Sequence, residues 1–103
     1  MTVKEVAELM AGKSEHKIRK NVVIKRIPGM VNHCEGFQLW YHNTAVVTWF
    51  TWSTYLNSGK YRTKSTKSII NKFTDAGIYQ KDYQWFTGDG RIFYDGIAIP
   101  HRK

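Results

Sequence analysis

The chain has 103 residues, which suits one domain, and its 42% hydrophobic content is sufficient for a core. Sixteen Lys and Arg against eight Asp and Glu give a net charge of +8, which points to nucleic acid, an anionic membrane surface or an acidic protein as partner. The single cysteine excludes an intramolecular disulfide, and no signal peptide or long apolar run is visible, so we expect an intracellular protein that does not insert into a membrane.

The amino-terminal residues show helical periodicity. Apolar side chains recur at three- and four-residue steps between a suitable cap at Thr2 and a stop at Gly12: Val3, Val6, Ala7, Leu9 and Met10. Residues 13–20 are polar and basic, so we predict that residues 1–20 form a helix plus a basic connector. Residues 21–99 are expected to form a sheet-and-helix core, and residues 1–103 a single domain.

Alternating apolar and polar residues, rich in β-branched and aromatic side chains, predict strands in much of the remaining chain. The predicted strands cover residues 21–27, 37–42, 45–52, 54–56, 78–86, 91–94 and 97–99. Turn signals follow several of them, at Pro28-Gly29, Asn43-Thr44, Asn57-Ser58-Gly59 and Gly88-Asp89-Gly90. The predicted fold class is α+β: a mainly antiparallel sheet of about five to six strands, an N-terminal helix and a helix near residues 65–76.

The second helix is predicted from apolar residues that share one face: Ile69, Ile70, Phe73 and Ala76. Thr63 or Ser65 can cap its first amides, and Gly77 suits the left-handed conformation at its end. Burying each large apolar side chain would contribute roughly 1.5–3 kcal/mol, whereas a helix this short does not persist alone. The helix therefore needs a sheet to pack against.

Residues 60–72, which we call the basic segment, contain five Lys or Arg residues and no acid. Where the segment enters the second helix, free amides, the helix dipole and Thr or Ser hydroxyls also favour an anion. A well-capped, solvated helix start would explain the hydroxyls but not five cations without an acid. The predicted nucleic-acid or anion-binding residues are Lys60, Tyr61, Arg62, Lys64, Ser65, Lys67, Lys72 and Lys81.

Aromatic residues are numerous for so short a chain, with four Trp, six Tyr and five Phe. We predict that some of them lie on one sheet face beside the basic residues, where they would stack on bases: Trp49, Trp52, Tyr61, Tyr79, Tyr83 or Trp85. The alternative is that most of these rings fill the core beneath the two helices.

Four groups of residues carry a resemblance. They are YHNTAVV at 41–47, LNSGKYRT at 56–63 with Thr66-Lys67, IYQK at 78–81 with QWF at 84–86, and FYDG at 93–96. Together they resemble segments of small hypothetical proteins encoded by tailed bacteriophages, over roughly residues 41–97. Lys60 stands where that group has a second glycine. The resemblance implies a phage accessory protein that acts in the host cytoplasm, and it implies no mechanism.

Catalytic and metal-binding patterns are weak. Adjacent His33, Cys34 and Glu35 rarely converge on one ion, so we predict no metal site and no cofactor. We expect a non-enzymatic protein that binds nucleic acid, DNA or RNA, through the basic segment. The alternative is an inhibitor or modulator that docks on an acidic host protein, for example one of a defence system. A lesser alternative is a small nuclease that uses His42 and Arg62.

Overall fold

The computed structural model describes residues 3–27, 36–50, 52–60 and 62–99. Within these ranges the elements are, in chain order, α1 (Val3–Met10), β1 (Glu15–Arg19), β2 (Val22–Arg26), β3 (Gly36–Tyr41), β4 (Thr44–Phe50), β5 (Thr54–Leu56), α2 (Lys64–Phe73), β6 (Tyr79–Lys81), β7 (Gln84–Phe86) and β8 (Ile97–Ile99). Neither helix in this part of the chain has the length and apolar character that crossing a membrane requires.

Six strands form one antiparallel sheet in the order β1-β2-β3-β4-β5-β8, and β6 pairs with β7 in a separate hairpin. The predicted fold class is confirmed: the chain is a small α+β domain with a mainly antiparallel sheet and an N-terminal helix. The order also brings β8, at the end of the described chain, beside β5.

One face of the large sheet carries the core, and its centre is a row of fully buried side chains. The strand registers place one residue from each of five adjacent strands directly opposite the next: Ile24, Leu39, Val47, Leu56 and Ile97. Both helices pack on this face, α1 through Val6 and Met10 and α2 through Ile69, Ile70 and Phe73. Among the apolar residues of α1, Val6 and Met10 are buried, Val3 and Ala7 are partly buried against the core, and Leu9 is 36% exposed.

The basic connector predicted for residues 13–20 is wrong in part, because Glu15–Arg19 is a strand. β1 lies at the edge of the sheet and pairs with β2 from Glu15 opposite Lys25 to Arg19 opposite Val22. His16 and Ile18 are half-buried, while Glu15, Lys17 and Arg19 are exposed. An edge strand with one solvated face can be mostly charged, and such charges discourage pairing with another chain. Because β1 is mostly polar, its sequence did not show the apolar alternation by which strands were predicted.

The single strand predicted over residues 78–86 is also wrong. Asp82 and Tyr83 both adopt positive φ, 51° and 66°, and turn the chain between β6 and β7. A two-residue hairpin turn of this kind needs the left-handed conformation, which Asn-Gly commonly adopts. Asp-Tyr is not a recognised turn signal, because residues with bulky side chains seldom have positive φ. The strand predicted for residues 91–94 is reduced to one bridge between Phe86 and Ile92.

Helix α2 begins where the sequence indicated and ends earlier. Thr63 caps it, since its Oγ1 accepts a hydrogen bond from the Thr66 amide at 3.2 Å, and Ser65 lies inside the helix. The helix ends at Phe73, where the Thr74 hydroxyl donates to the Ile70 carbonyl at 2.8 Å. Gly77 has a φ of 63° but lies beyond this end, so the predicted exit position is wrong. A hydroxyl that caps the last turn removes the need for glycine there.

One side chain of α2, Asn71, hydrogen-bonds both backbone groups of a residue that follows the helix. Asn71 Oδ1 accepts a hydrogen bond from the Ile78 amide at 2.7 Å, and Asn71 Nδ2 donates to the Ile78 carbonyl at 2.8 Å. These two bonds join the last turn of α2 to the residue that precedes β6. They hold the small hairpin against the helix.

We expect Asn71→Ala to lower the free energy of unfolding by about 1–3 kcal/mol, because both backbone groups of Ile78 lose their partner. Urea denaturation followed by circular dichroism measures this. The matched control is Ser68→Ala, an exposed position one turn earlier in the same helix, for which the expected change is within about 0.5 kcal/mol. Equal effects of the two substitutions would contradict the role assigned to Asn71.

Candidate nucleic-acid interface

The turn between β5 and α2 positions the basic segment, and polar side chains hold it in place. Asn57 Oδ1 accepts a hydrogen bond from the Gly59 amide at 2.6 Å. Ser58 is buried and donates to Asp95 Oδ1 twice, from its amide at 2.8 Å and from its hydroxyl at 2.7 Å. Gly59 and Lys60 then adopt positive φ, 62° and 69°. The direction in which the chain enters α2 is therefore set by contacts distant in sequence.

Gly59 lies directly against the β3–β4 hairpin. A Cβ atom at this position would be 2.5 Å from Thr44 Cγ2 and 2.7 Å from Thr44 Oγ1. Glycine is required here for two reasons, the left-handed backbone and the absence of space. The turn and the hairpin are consequently in close contact, and the start of α2 lies beside the residues that connect β3 to β4.

A cavity of about 530 Å³ lies between this hairpin and the start of α2. Its described lining residues are mostly of polar type, although they also expose apolar carbon to the cavity: Tyr41, His42, Asn43, Thr44, Val46, Ser58, Thr63, Ser65 and Thr66. The hydroxyls of Thr63 and Thr66 lie 3.0 Å apart and take part in the helix cap. The cavity can therefore accept a small polar group, but these two hydroxyls are already engaged.

Helix α2 presents the cations of the basic segment away from the core. The buried side of the helix consists of Thr66, Ile69, Ile70 and Phe73. Lys64, Ser65 and Lys72 are exposed and Lys67 is half-buried, while Lys60 and Arg62 are exposed in the turn before the helix. Lys60, Arg62, Lys64, Ser65 and Lys67 thus gather near the start of α2. Lys72 lies about 12 Å further along the helix axis at 1.5 Å per residue.

These cations lack carboxylate partners. In the ranges that the structure describes, none of the Lys and Arg side chains of the basic segment lies within ion-pair distance of an acid. Two of them lie over rings instead: the Arg62 guanidinium is 5.4 Å from the centroid of Phe93, and Lys72 Nζ is 5.8 Å from that of Phe73. The cations of the segment are therefore not neutralised by described carboxylates.

Of the remaining predicted site residues, one belongs to the β6–β7 hairpin and one lies outside the described residues. Lys81 is exposed at the end of β6, in the separate hairpin, where it pairs with Gln84. Tyr61 lies outside the described residues. His33, Cys34 and Glu35 do so as well, and within the described ranges no group of three His, Cys, Asp or Glu side chains is placed to hold a metal ion.

The predicted aromatic face is wrong as a set. Trp49 and Trp85 are 0% and 2% exposed, and Trp85 packs edge-on against Phe93 in the core. Trp52, Tyr79 and Tyr83 are exposed, but Trp52 follows β4 whereas the two tyrosines belong to the β6–β7 hairpin. Alternation along a strand indicates two faces and does not say which one a helix will cover.

Sequence reasoning missed a different aromatic surface. Trp40, Phe50 and Tyr55 are half-buried on the sheet face opposite the core, and in the described chain neither helix packs there. The signal was present in β3, because Phe37 and Leu39 point into the core and Trp40 must then point away. We call this side of the large sheet the open face.

The described structure does not bring His42 and Arg62 together in the cavity, as the nuclease alternative requires. His42 lines the cavity, and its ring centroid is 4.4 Å from that of Tyr41. Among its described lining residues the cavity contains neither a carboxylate nor Arg62. Asp89, whose pKa is lowered by the hydrogen bond from the Thr87 hydroxyl and by the Arg91 guanidinium, lies in the turn after β7. Asp89, the carboxyl with the lowered pKa, is thus not among the described lining residues of the cavity.

The chain matches no family model, and neither a curated protein sequence nor a solved structure shows detectable similarity to it. The interpretation of this surface therefore depends on its own chemistry.

We expect Gly59→Ala to lower the free energy of unfolding by at least about 2 kcal/mol, since a left-handed alanine costs about 1–2 kcal/mol and overlap with Thr44 adds to it. The matched control is Gly12→Ala, because Gly12 also has a positive φ but its Cβ would meet nothing within 4 Å. In the Gly59→Ala background, Thr44→Ala should restore part of the stability. Thermal and urea denaturation measure all three, and a control as damaging as Gly59→Ala would contradict the steric argument.

Proposed function

We propose that this protein is a non-enzymatic nucleic-acid-binding accessory protein of a tailed bacteriophage, acting in the host cytoplasm. The observation that carries the proposal is the basic segment, where five cations lie along the start and outer side of α2 and none is paired with a described carboxylate. The resemblance of residues 41–97 to phage-encoded proteins supports the proposed source.

In this proposal Lys60, Arg62, Lys64 and Lys67 contact successive phosphates, and Ser65 donates a hydrogen bond from its exposed hydroxyl. Cations that have no protein partner are compensated by bound counterions, which a polyanion releases on binding. The expected affinity is therefore strongly dependent on salt and nearly independent of sequence. Lys72, further along α2, would extend the contact by about one more phosphate.

The hydroxyl groups beside this surface take part in structural hydrogen bonds, which favours binding over catalysis. Ser58 donates to Asp95, and Thr63 caps α2. Neither hydroxyl is described with a histidine as hydrogen-bond partner that could serve as a base. Both side chains hold the turn in position, which supports a surface that binds a phosphate backbone without cleaving it.

The double substitution Lys64→Ala/Lys67→Ala should weaken binding to labelled DNA or RNA about tenfold or more at low salt. It should also make the plot of log affinity against log salt shallower by about 1.4–1.8, since each phosphate contact contributes about 0.7–0.9 to that slope. Fluorescence anisotropy at several salt concentrations, with single- and double-stranded probes, measures both quantities.

The control, Lys4→Ala/Lys20→Ala, removes the same charge from exposed positions in α1 and in the β1–β2 turn. We expect it to change the affinity by less than about threefold through the net charge alone. An equal loss in both double variants would assign binding to overall charge, and no binding of any probe at low salt would overturn the proposal.

The β6–β7 hairpin supports a second candidate function, inhibition or modulation of an acidic host protein. Tyr79 lies opposite Phe86 with the two rings 5.5 Å apart, and Phe86 bridges to Ile92. Tyr79 and Ile92 are 43% and 56% exposed, and Tyr83 at the tip is 99% exposed. An exposed aromatic and aliphatic row with Lys81 beside it is typical of a protein contact surface.

If the hairpin binds a protein, the tagged chain should retain a stoichiometric acidic host partner after nuclease treatment. Tyr83→Ala should release that partner and leave nucleic-acid affinity unchanged, because it removes no charge from the basic segment. Size-exclusion chromatography with mass spectrometry detects the complex. Retention of the partner by Tyr83→Ala would contradict the role of the hairpin.

A further inference from the structure

The open face of the large sheet has a defined set of side chains. Lys17, Val23, Trp40 and Ala45 lie opposite one another across β1 to β4. The next row runs from Glu15 and Lys25 through Gln38 and Thr48 to Tyr55 and Ala98. The aromatic residues of these rows are half-buried, and both helices pack on the opposite side. Within the described chain this face is thus not covered by a helix, carries aromatic rings and is bordered by lysines on the β1–β2 side.

A platform of packed aromatic rings projects from this face. The rings of Phe50 and Trp52 are stacked, with centroids 4.5 Å apart and planes 6° from parallel. Tyr55 meets Phe50 edge-on at 5.8 Å, and Trp52 Nε1 donates a hydrogen bond to the Tyr55 hydroxyl at 3.3 Å. Trp52 is nevertheless 56% exposed. One side of its indole is supported, so a flat ligand can stack on it without first ordering the side chain.

A groove of about 460 Å³ lies beside the platform. Phe50, Tyr55 and Ala45 provide apolar walls, and Gln38, Thr48 and Asn57 provide amide and hydroxyl groups. The volume is within the range of about 300–1,000 Å³ found for small-ligand sites, and flat apolar walls with a few amides suit a nucleobase. The groove and the platform share Phe50 and Tyr55, so adjacent bases could use both.

The lysines of the open face lie on its β1–β2 side, beside Trp40. Lys25 Nζ is 5.1 Å from the centroid of Trp40, and Lys17 is exposed in the adjoining row. Glu15, opposite Lys25, is the acid that the described registers place on this face. The positive balance on the β1–β2 side complements a phosphate backbone that would accompany bases on the platform.

We propose that the open face binds single-stranded nucleic acid, with one base stacked on Trp52, a neighbouring base in the groove, and phosphates near Lys25 and Lys17. This inference rests on the proposed function and specifies the strandedness of its ligand. Paired bases in a duplex present only their edges, whereas unpaired bases expose the ring faces that an indole stacks on. The basic segment lies on the helix side of the sheet, so the two contacts can be disrupted separately.

The test compares binding of oligo(dT) and of a duplex of equal length by fluorescence anisotropy. We expect tighter binding of the single strand, and Trp52→Ala should weaken it about tenfold, the loss of one stacked base. Trp52→Ala should leave duplex affinity and the salt slope unchanged, because it removes no charge. Trp52→Phe keeps a stacking ring and should stay within about threefold of the wild type. Tyr83→Ala, which removes a fully exposed ring from the separate hairpin, is the matched control and should have no effect.

Each outcome separates the two proposals. An effect of Lys64→Ala/Lys67→Ala without an effect of Trp52→Ala would overturn the open-face assignment and leave the proposed function in place. An equal loss from Tyr83→Ala, or equal losses for single strand and duplex in Trp52→Ala, would also overturn the assignment. Failure of the wild type to bind either probe at low salt would overturn the proposed function itself. Ultraviolet crosslinking to oligo(dT) provides an independent readout: adducts at Trp52 or Tyr55 support the open face, and adducts confined to α2 contradict it.

Discussion

The row of buried side chains across five strands is the constraint on which the structure depends. Ile24, Leu39, Val47, Leu56 and Ile97 lie opposite one another at or near zero exposure. Each contributes roughly 1.5–3 kcal/mol when buried, and this burial requires that both helices cover the same side of the sheet. Because the two helices of the described chain lie on that side, the other side of the sheet is not covered by a helix within the described ranges. The core thus determines where an aromatic surface can meet a ligand.

The start of α2 shows how distant contacts position charges. Asp95 accepts hydrogen bonds from the buried Ser58, and Gly59 lies against Thr44, so two distant parts of the chain meet at a turn of a few residues. The cations of the basic segment follow immediately and need no acidic partner to be held in place. Their orientation comes from packing and from hydrogen bonds in which the cations take no part, which leaves the charges free to interact with an external anion.

The two proposed contact surfaces differ in what they can recognise. The described side chains of the basic segment offer mainly positive charge, which suits a phosphate backbone of either strandedness. The open face offers stacked rings and a groove with lysines at one side, which suits unpaired bases. Because the sheet separates them, a strand that reached both would pass around an edge of the domain, whose shortest dimension is 19 Å. The two surfaces would then act together on one ligand.

Local sequence was sufficient for the fold class, for the helix around Ile69, Ile70 and Phe73, and for the cation-rich segment, because periodicity and charge are properties of neighbouring residues. It was insufficient for β1, a polar strand that exists only because β2 pairs with it, and for the turn at Asp82 and Tyr83, which carries no glycine. It also could not separate the buried Trp49 and Trp85 from the exposed Trp52. Alternation divides a strand into two sides, and only the packing of distant helices decides which side is buried.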